Sequence, residues 1–200
     1  MGKPVNRVLF VNSEIMPFLP ETPLSRIGRC LPQGIQERKK EIRAFMPRYG
    51  CINERKNQLH EVIRLSGMNI IIGDVDRPLV IKVASITSAR IQVYFIDNED
   101  YFRRKQISYD TDGKFFEDNG QRAIFFARGV LETVKKLRWA PDVIHCQGWI
   151  SHLVPAGGDA EILRMSLPTE KEDLDFALAN SGESTTSRRE TVVTVRLGTS

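Results

Sequence analysis

The stretch DVIHCQGWISHLVP, Asp142 to Pro155, holds two of the three histidines and one of the three cysteines of the chain. An apolar run leads into His145, and Gly148 and Trp149 follow. His145 is the catalytic candidate: at a strand end it can act on a substrate or orient a loop. It can equally be a half-buried polar residue bonded to a backbone carbonyl. Cys146 with His152 would make a nucleophile and its base, but no third group is in sight to orient the pair. His145, Cys146 and His152 would offer three metal ligands. Neighbouring strand residues point to opposite faces, however, and no fourth ligand is evident, so we expect no metal. Gln147 can hydrogen-bond a ligand without changing charge near neutral pH. Trp149 either lines a site or opens a helix and packs. One further candidate, Glu14, lies in the loop SEIMPF. Asp118 suits a helix N-terminus, where an aspartate can cap.

These residues need a scaffold. Arg7 to Asn12, RVLFVN, reads as a short buried strand. Thr22 can cap a helix that starts at Pro23, where the missing N–H costs nothing. Leu24, Ile27, Leu31 and Ile35 continue that helix, and Pro32 within it predicts a kink or short break. Glu41 to Pro47 reads as the second strand. His60 to Leu65, Met68 to Ile72, Leu79 to Ile86 and Arg90 to Ile96 read as further strands. They are separated by Gly67, Gly73, Asp76 and Pro78, and form hairpins beside a parallel core. Asn98 to Lys105 reads as a short helix. Asp118 to Arg138 reads as a long one, with the stripe Ala123, Ala127, Val130, Leu131, Val134 and Leu137. Asp118 and Gln121 stand at capping-box spacing, and Lys135, Lys136 and Arg138 suit the helix C-terminus. DVIHC is the strand that follows. This alternation predicts an α/β domain, a Rossmann-like, mainly parallel sheet with inserted hairpins.

After Pro155 the chain is rich in Ser, Thr, Gly and Glu, and Phe176 is its only aromatic there. We expect one domain over 4–155 and a poorly ordered tail over 156–200. Within the tail, LPTEKEDLDFALAN suggests a short helix and TVVTVRL a strand. No run has the length of a membrane span and the N-terminus has no adequate apolar segment for a secretory signal, so we expect no membrane partner. Three widely spaced cysteines build no disulfide framework, which predicts a cytoplasmic protein. The net charge of +4 permits an anionic partner. No RNP-like, finger or helix-turn-helix pattern accompanies the basic residues, so nucleic acid is not expected. A general nucleotide-binding Rossmann-like domain has no support either, since no G-x-G-x-x-G or P-loop pattern appears.

Several stretches carry a resemblance together: VLFVNSEIMPF, LPQGIQERKKEIRAFMPRYG, VYFIDNEDYF, DNGQRAIFFARGVLETVKKLRWAPDVIHCQGW and SHLVP. In order and spacing they resemble the N-terminal catalytic domain of bacterial glycogen synthases and plant starch synthases, over roughly Pro4 to Pro155. The resemblance implies half of a two-domain, Rossmann-like retaining glucosyltransferase. It further implies ADP-glucose as donor, an α-1,4-glucan as acceptor, a cleft between domains and no metal or other cofactor. In that setting His145 would be catalytic, and Glu14, Asp118, Asn119, Gln147 and Trp149 would bind substrate.

The chain departs from that pattern in three places. The first strand–helix turn of the family carries a lysine, a threonine, two glycines and a leucine; here it reads Pro20, Glu21, Thr22, Pro23, Leu24. The lysine and glycines that would meet phosphate are absent, a carboxylate has appeared, and two prolines remove N–H donors. Arg26 stands where the family has an acidic residue, and restores a positive charge near that turn. The family's histidine, any residue, histidine, aspartate, tryptophan is here His145, Cys146, Gln147, Gly148, Trp149. The family's second domain has no counterpart, so a missing C-terminal domain or a separate subunit is an expected partner. A shortened chain, a one-domain relative or a reading-frame shift near residue 155 would each give this pattern. The expected function is glucosyl transfer with this chain as the N-terminal domain, inactive alone. The alternative is a non-catalytic glucan-binding or regulatory subunit on the same fold.

Overall fold

The structure, a computed structural model, describes residues 5–155 and 192–196. Its first strand, β1 (Arg7–Asn12), is buried at every position but the first. Helix α1 (Pro23–Glu37) leads to β2 (Glu41–Pro47). Then come β3 (His60–Glu61), β4 (Met68–Ile72), β5 (Val75–Ile86) and β6 (Ile91–Asp97). Two helices follow, α2 (Glu99–Phe102) and α3 (Asn119–Lys136), then β7 (Val143–Gln147). Val192–Arg196 forms β8.

The sheet runs β3-β5-β6-β2-β1-β7-β8, with β4 paired to β5 off that path. Its centre, β6-β2-β1-β7, is parallel throughout, and antiparallel strands flank both sides. The four parallel strands run the same way, so Asn12, Pro47, Asp97 and Gln147 end on one rim. From β1 the chain goes first to β2 and β6 on one side, then returns through α3 to β7 on the other. The reversal falls between β1 and β7. In open α/β sheets that is where a crevice for ligands opens.

Apolar patterning builds this core. Phe10, Phe45, Phe95, Phe125 and Phe126 are fully buried, each contributing roughly 1.5–3 kcal/mol through the area it removes from water. The predicted stripe of α3 faces inward: Ala123, Ala127, Val130, Leu131 and Val134 are buried, and Leu137 is half-buried.

Some expectations change. Pro32 does not break α1, which continues through it to Glu37. The strand read over His60 to Leu65 is confined to two residues, and a turn closed by Leu65 N–H to Val62 O at 2.9 Å takes its second half. Asp76 and Pro78, read as turn residues, lie inside β5. Pairing of β5 with β6 starts only at Val80, so Pro78 meets a partner strand on one side alone, where a missing N–H is tolerated. Asp118 occupies the N-cap of α3 but makes no capping hydrogen bond, so the capping box read with Gln121 does not form. The strand read in TVVTVRL is present as β8, antiparallel to β7. The helix read in LPTEKEDLDFALAN and the weak order expected of the tail fall on residues outside the described ones.

Candidate functional site

At the reversal point the ends of β1 and β7 are stitched together. Ser13 N–H donates to the Gln147 carbonyl at 3.0 Å, Asn12 Nδ2 to Gln147 Oε1 at 3.5 Å, and Ile150 N–H to Ser13 Oγ at 3.4 Å. Asn12, Ser13 and Gln147 are buried and form a polar floor. Gly148 makes the contact possible. Its φ is 86°, and a Cβ there would lie 2.2 Å from Ser13 Oγ. Above the floor, Glu14 and Trp149 remain half-exposed.

His145 sits two residues before the end of β7, on the same face as Gln147. It lies opposite Phe10 in the register, and the two rings stack with centroids 5.3 Å apart and 7° between planes. Burial lowers its pKa, so the imidazole is held neutral. The Ser13 loop therefore meets the end of β7 at Gln147 and Gly148, with His145 two register pairs behind Gln147. Cys146 faces the other way, is fully buried, and burial pushes its thiol far above the ordinary range, which suits packing rather than nucleophilic attack.

The start of α1 shows what became of the usual phosphate seat. Thr22 caps it in a capping box: Ser25 N–H donates to Thr22 Oγ1 at 3.0 Å, and Thr22 N–H to Ser25 Oγ at 2.8 Å. Pro23 has no N–H. Thr22 Oγ1 donates in turn to Glu14 Oε2 at 2.8 Å, which sets a carboxylate beside the positive end of the helix dipole. Gly28 lets α1 close on this loop; a Cβ there would be 2.4 Å from the Glu14 carbonyl and 2.5 Å from Asn12 Nδ2. Arg26 lies on the exposed surface, 3.8 Å from Glu21. A helix N-terminus that elsewhere receives an anion is here satisfied by the chain's own Ser25, Thr22 and Glu14.

Asp118 and Asn119 belong to a second group on the first turn of α3. Asp118 takes a two-pronged hydrogen bond from Arg104, at 2.7 and 2.5 Å. Burial works to raise its pKa, but the bonds and charge of Arg104 outweigh it and the carboxyl sits below its ordinary value. Asn119 is buried, with Nδ2 donating to the Ser108 carbonyl at 2.9 Å and Oδ1 accepting from Arg122.

Arg122 and Tyr49 are the residues that sequence reasoning missed. Arg122 is fully buried and donates to the carbonyls of Tyr101 at 2.9 Å and Ile107 at 2.8 Å. Its guanidinium lies 5.5 Å from the Phe102 ring, 5.5 Å from Phe116 and 5.6 Å from Trp149. It thereby ties the loop after α2 to α3 and to Trp149, two residues past the end of β7. Tyr49, past the end of β2, is fully buried, and burial holds its phenol protonated. A signal for Arg122 was there to read: it stands four residues before Phe126 and eight before Val130, a charge at a core register. Thus Glu14, Gln147 and Trp149 gather at the reversal point. Asp118 and Asn119 lie next to it and reach it through Arg122 and Trp149. Among the described residues no group of three or more His, Cys, Asp or Glu is placed to hold a metal.

A parallel core reversing between β1 and β7, with polar strand ends on one rim, defines a Rossmann-like α/β domain. Residues 7–161 match the starch synthase catalytic domain, and the chain belongs to that family. It is 41% identical over 150 residues to the glycogen synthase of Chlorobium limicola, covering 74% of this chain and 31% of that protein. With the glycogen synthase of Chlorobaculum tepidum it shares 41% over 149 residues, covering 74% and 30%. The chain thus spans about a third of the length of these relatives. The catalytic domain of starch synthase IV from Arabidopsis thaliana, solved bound to ADP and acarbose, has the same fold with a TM-score of 0.63 at 19% identity, covering 82% of this chain and 32% of that one.

Proposed function

We propose that this chain is the N-terminal, acceptor-side domain of a glycogen synthase-like enzyme. The reaction is transfer of glucose, with retention, from ADP-glucose to the non-reducing end of an α-1,4-glucan. Membership of the starch synthase catalytic domain family carries the reading. In this reading the acceptor sits at the β1–β7 rim: Glu14 and Trp149 face the sugar, Gln147 with Asn12 forms the floor, and His145, on the same face of β7 as Gln147, is the catalytic residue. Asp118 and Asn119 fix the approach to that rim. The chain's contribution to the reaction is positioning and polar stabilisation as the nucleotide leaves. The rest of the site comes from a C-terminal domain or a separate subunit, so the chain alone is inactive. The test is transfer of labelled glucose from ADP-glucose to glycogen by the purified 200-residue chain. We expect none, and measurable turnover overturns the division of labour.

One observation favours a second reading, a non-catalytic glucan-binding or regulatory subunit. The start of α1 is closed to an incoming phosphate by Thr22, Pro23 and the Glu14 carboxylate. Co-sedimentation with glycogen without ADP binding selects this alternative. ADP-glucose binding that is lost in His145→Ala selects the enzyme.

A further inference from the structure

Arg122 carries a charge into the core, and its neighbours do not balance it. The side chain is fully buried. Burial lowers its pKa, yet a guanidinium stays protonated at neutral pH. Nε and Nη1 donate to the carbonyls of Tyr101 and Ile107 and to Asn119 Oδ1, all neutral acceptors. Among the described residues Arg122 makes no ion pair, and its Nη2 has no hydrogen-bond partner. The carboxylate that acts on it, Asp118, is already held by the Arg104 fork, so two guanidinium groups share one negative charge. Glu14 acts on Tyr49 rather than on Arg122, and its Oε2 accepts from Thr22. The turn after β7 adds no carboxylate, because Gly148 stands where the family pattern has an aspartate. The ring faces of Phe102, Phe116 and Trp149 ease the charge without cancelling it. One positive charge is left over, and a buried charge without a counter-charge is strongly unfavourable.

A second unpartnered donor lies beside it. Tyr49 is fully buried, its phenol is held protonated, and among the described residues its hydroxyl has no hydrogen-bond partner. Tyr49 and Arg122 pack on the same ring, Phe102: the two aromatic centroids are 6.1 Å apart, and the guanidinium carbon is 5.5 Å from the ring. Each also acts on the other's ionisation. Two donors, one of them charged, thus share a neighbourhood with no acceptor for their hydrogens. A water molecule accepts from both but brings no charge. A nucleotide phosphate brings charge but must carry its nucleoside in with it, and both donor atoms are shut off from solvent. A halide meets every demand: it is compact, negative, and accepts from several donors at once. We propose that Arg122 Nη2 and the Tyr49 hydroxyl form a buried site for a small monovalent anion, of which chloride is the type. The anion pins the loop after β2 to the first turn of α3, and so braces the guanidinium on which Trp149 lies. This site neither uses nor needs the glucosyl-transfer reading.

The test uses the full 200-residue chain, with sodium gluconate replaced stepwise by sodium chloride at constant ionic strength. The thermal midpoint, followed by circular dichroism, should rise by about 2–4 °C and saturate with chloride. The chloride NMR resonance should broaden on adding protein. Tyr49→Phe removes one donor and keeps the ring, and should raise the half-saturating chloride concentration about tenfold. Arg122→Met, where it folds, abolishes the dependence. Lys56→Ala, an exposed cation outside this cluster, titrates as wild type. A wild-type midpoint that is the same in both salts overturns the site and leaves a bridging water in its place. A chloride dependence that Tyr49→Phe leaves unchanged overturns it too. Stabilisation by ADP in gluconate, with none by chloride, assigns the counter-charge to a nucleotide phosphate and likewise overturns the small-anion site.

Discussion

The two-pronged bond between Arg104 and Asp118 shows how a residue singled out for one role serves another. A carboxylate at the N-cap of α3 was expected to bind ligand or cap the helix, and its oxygens instead go to a guanidinium. Asp118→Asn removes the charge from a partly buried fork and should lower stability by about 1–2 kcal/mol in urea unfolding at neutral pH. The folded carboxyl lies below its ordinary value, so its contribution is present above the unfolded pKa and is lost as pH falls through the folded one. The gap between wild type and variant should accordingly close in acid. His145 follows the opposite chemistry with the same sign. Burial lowers its pKa, so the unfolded chain binds a proton more readily than the folded one. Stability is held above roughly pH 6.5, the ordinary histidine value, and declines as pH drops from there towards the folded value. His145→Gln should flatten that slope, measured as unfolding midpoints across the same range.

Between elements, polar links do much of the joining. Arg48 and Lys82 each contact both Glu54 and Asp97, with distances of 2.7 to 3.1 Å, closing a ring of four charges between the loop after β2, β5 and the end of β6. Asp97 is nearly buried. Asp97→Asn leaves two cations facing one carboxylate, and should cost about 3–5 kcal/mol in a denaturant titration. Thr22→Ala should cost about 1 kcal/mol by removing the cap of α1. It also frees the Glu14 carboxylate that Thr22 now holds. The elements themselves were largely legible. β1 and β2 match their sequence bounds because apolar runs with clear flanks leave little choice. The missed details have physical causes. Pro32 is accommodated because the inward face of α1 packs on the strand loop through Gly28, which holds the helix together across a lost hydrogen bond. Pro78 is accommodated because β5 is paired on one side only at that position, its pairing with β6 starting at Val80. Both are tertiary effects that local propensity does not see.

At the scale of the whole molecule, sheet order made the reversal between β1 and β7 visible, and that order follows from right placement of one crossover. The strand–helix alternation foretold a parallel core and a rim. It did not foretell that the rim's floor would be filled by Asn12, Ser13 and Gln147, because strand register and the φ of Gly148 decide it. Of the candidate residues, Glu14, Gln147 and Trp149 converge on the rim, while buried Arg122 was hidden inside a helix that looked like ordinary apolar packing.

The strand at Val192–Arg196 has a consequence for handling the protein. It covers the outer hydrogen-bonding side of β7, which would otherwise present a row of unpaired amides and carbonyls. Cutting the chain after Pro155 uncovers that row, a template for fibre growth and precipitation. Such a fragment should self-associate as concentration rises, seen as growing scattered light, whereas the intact chain should not.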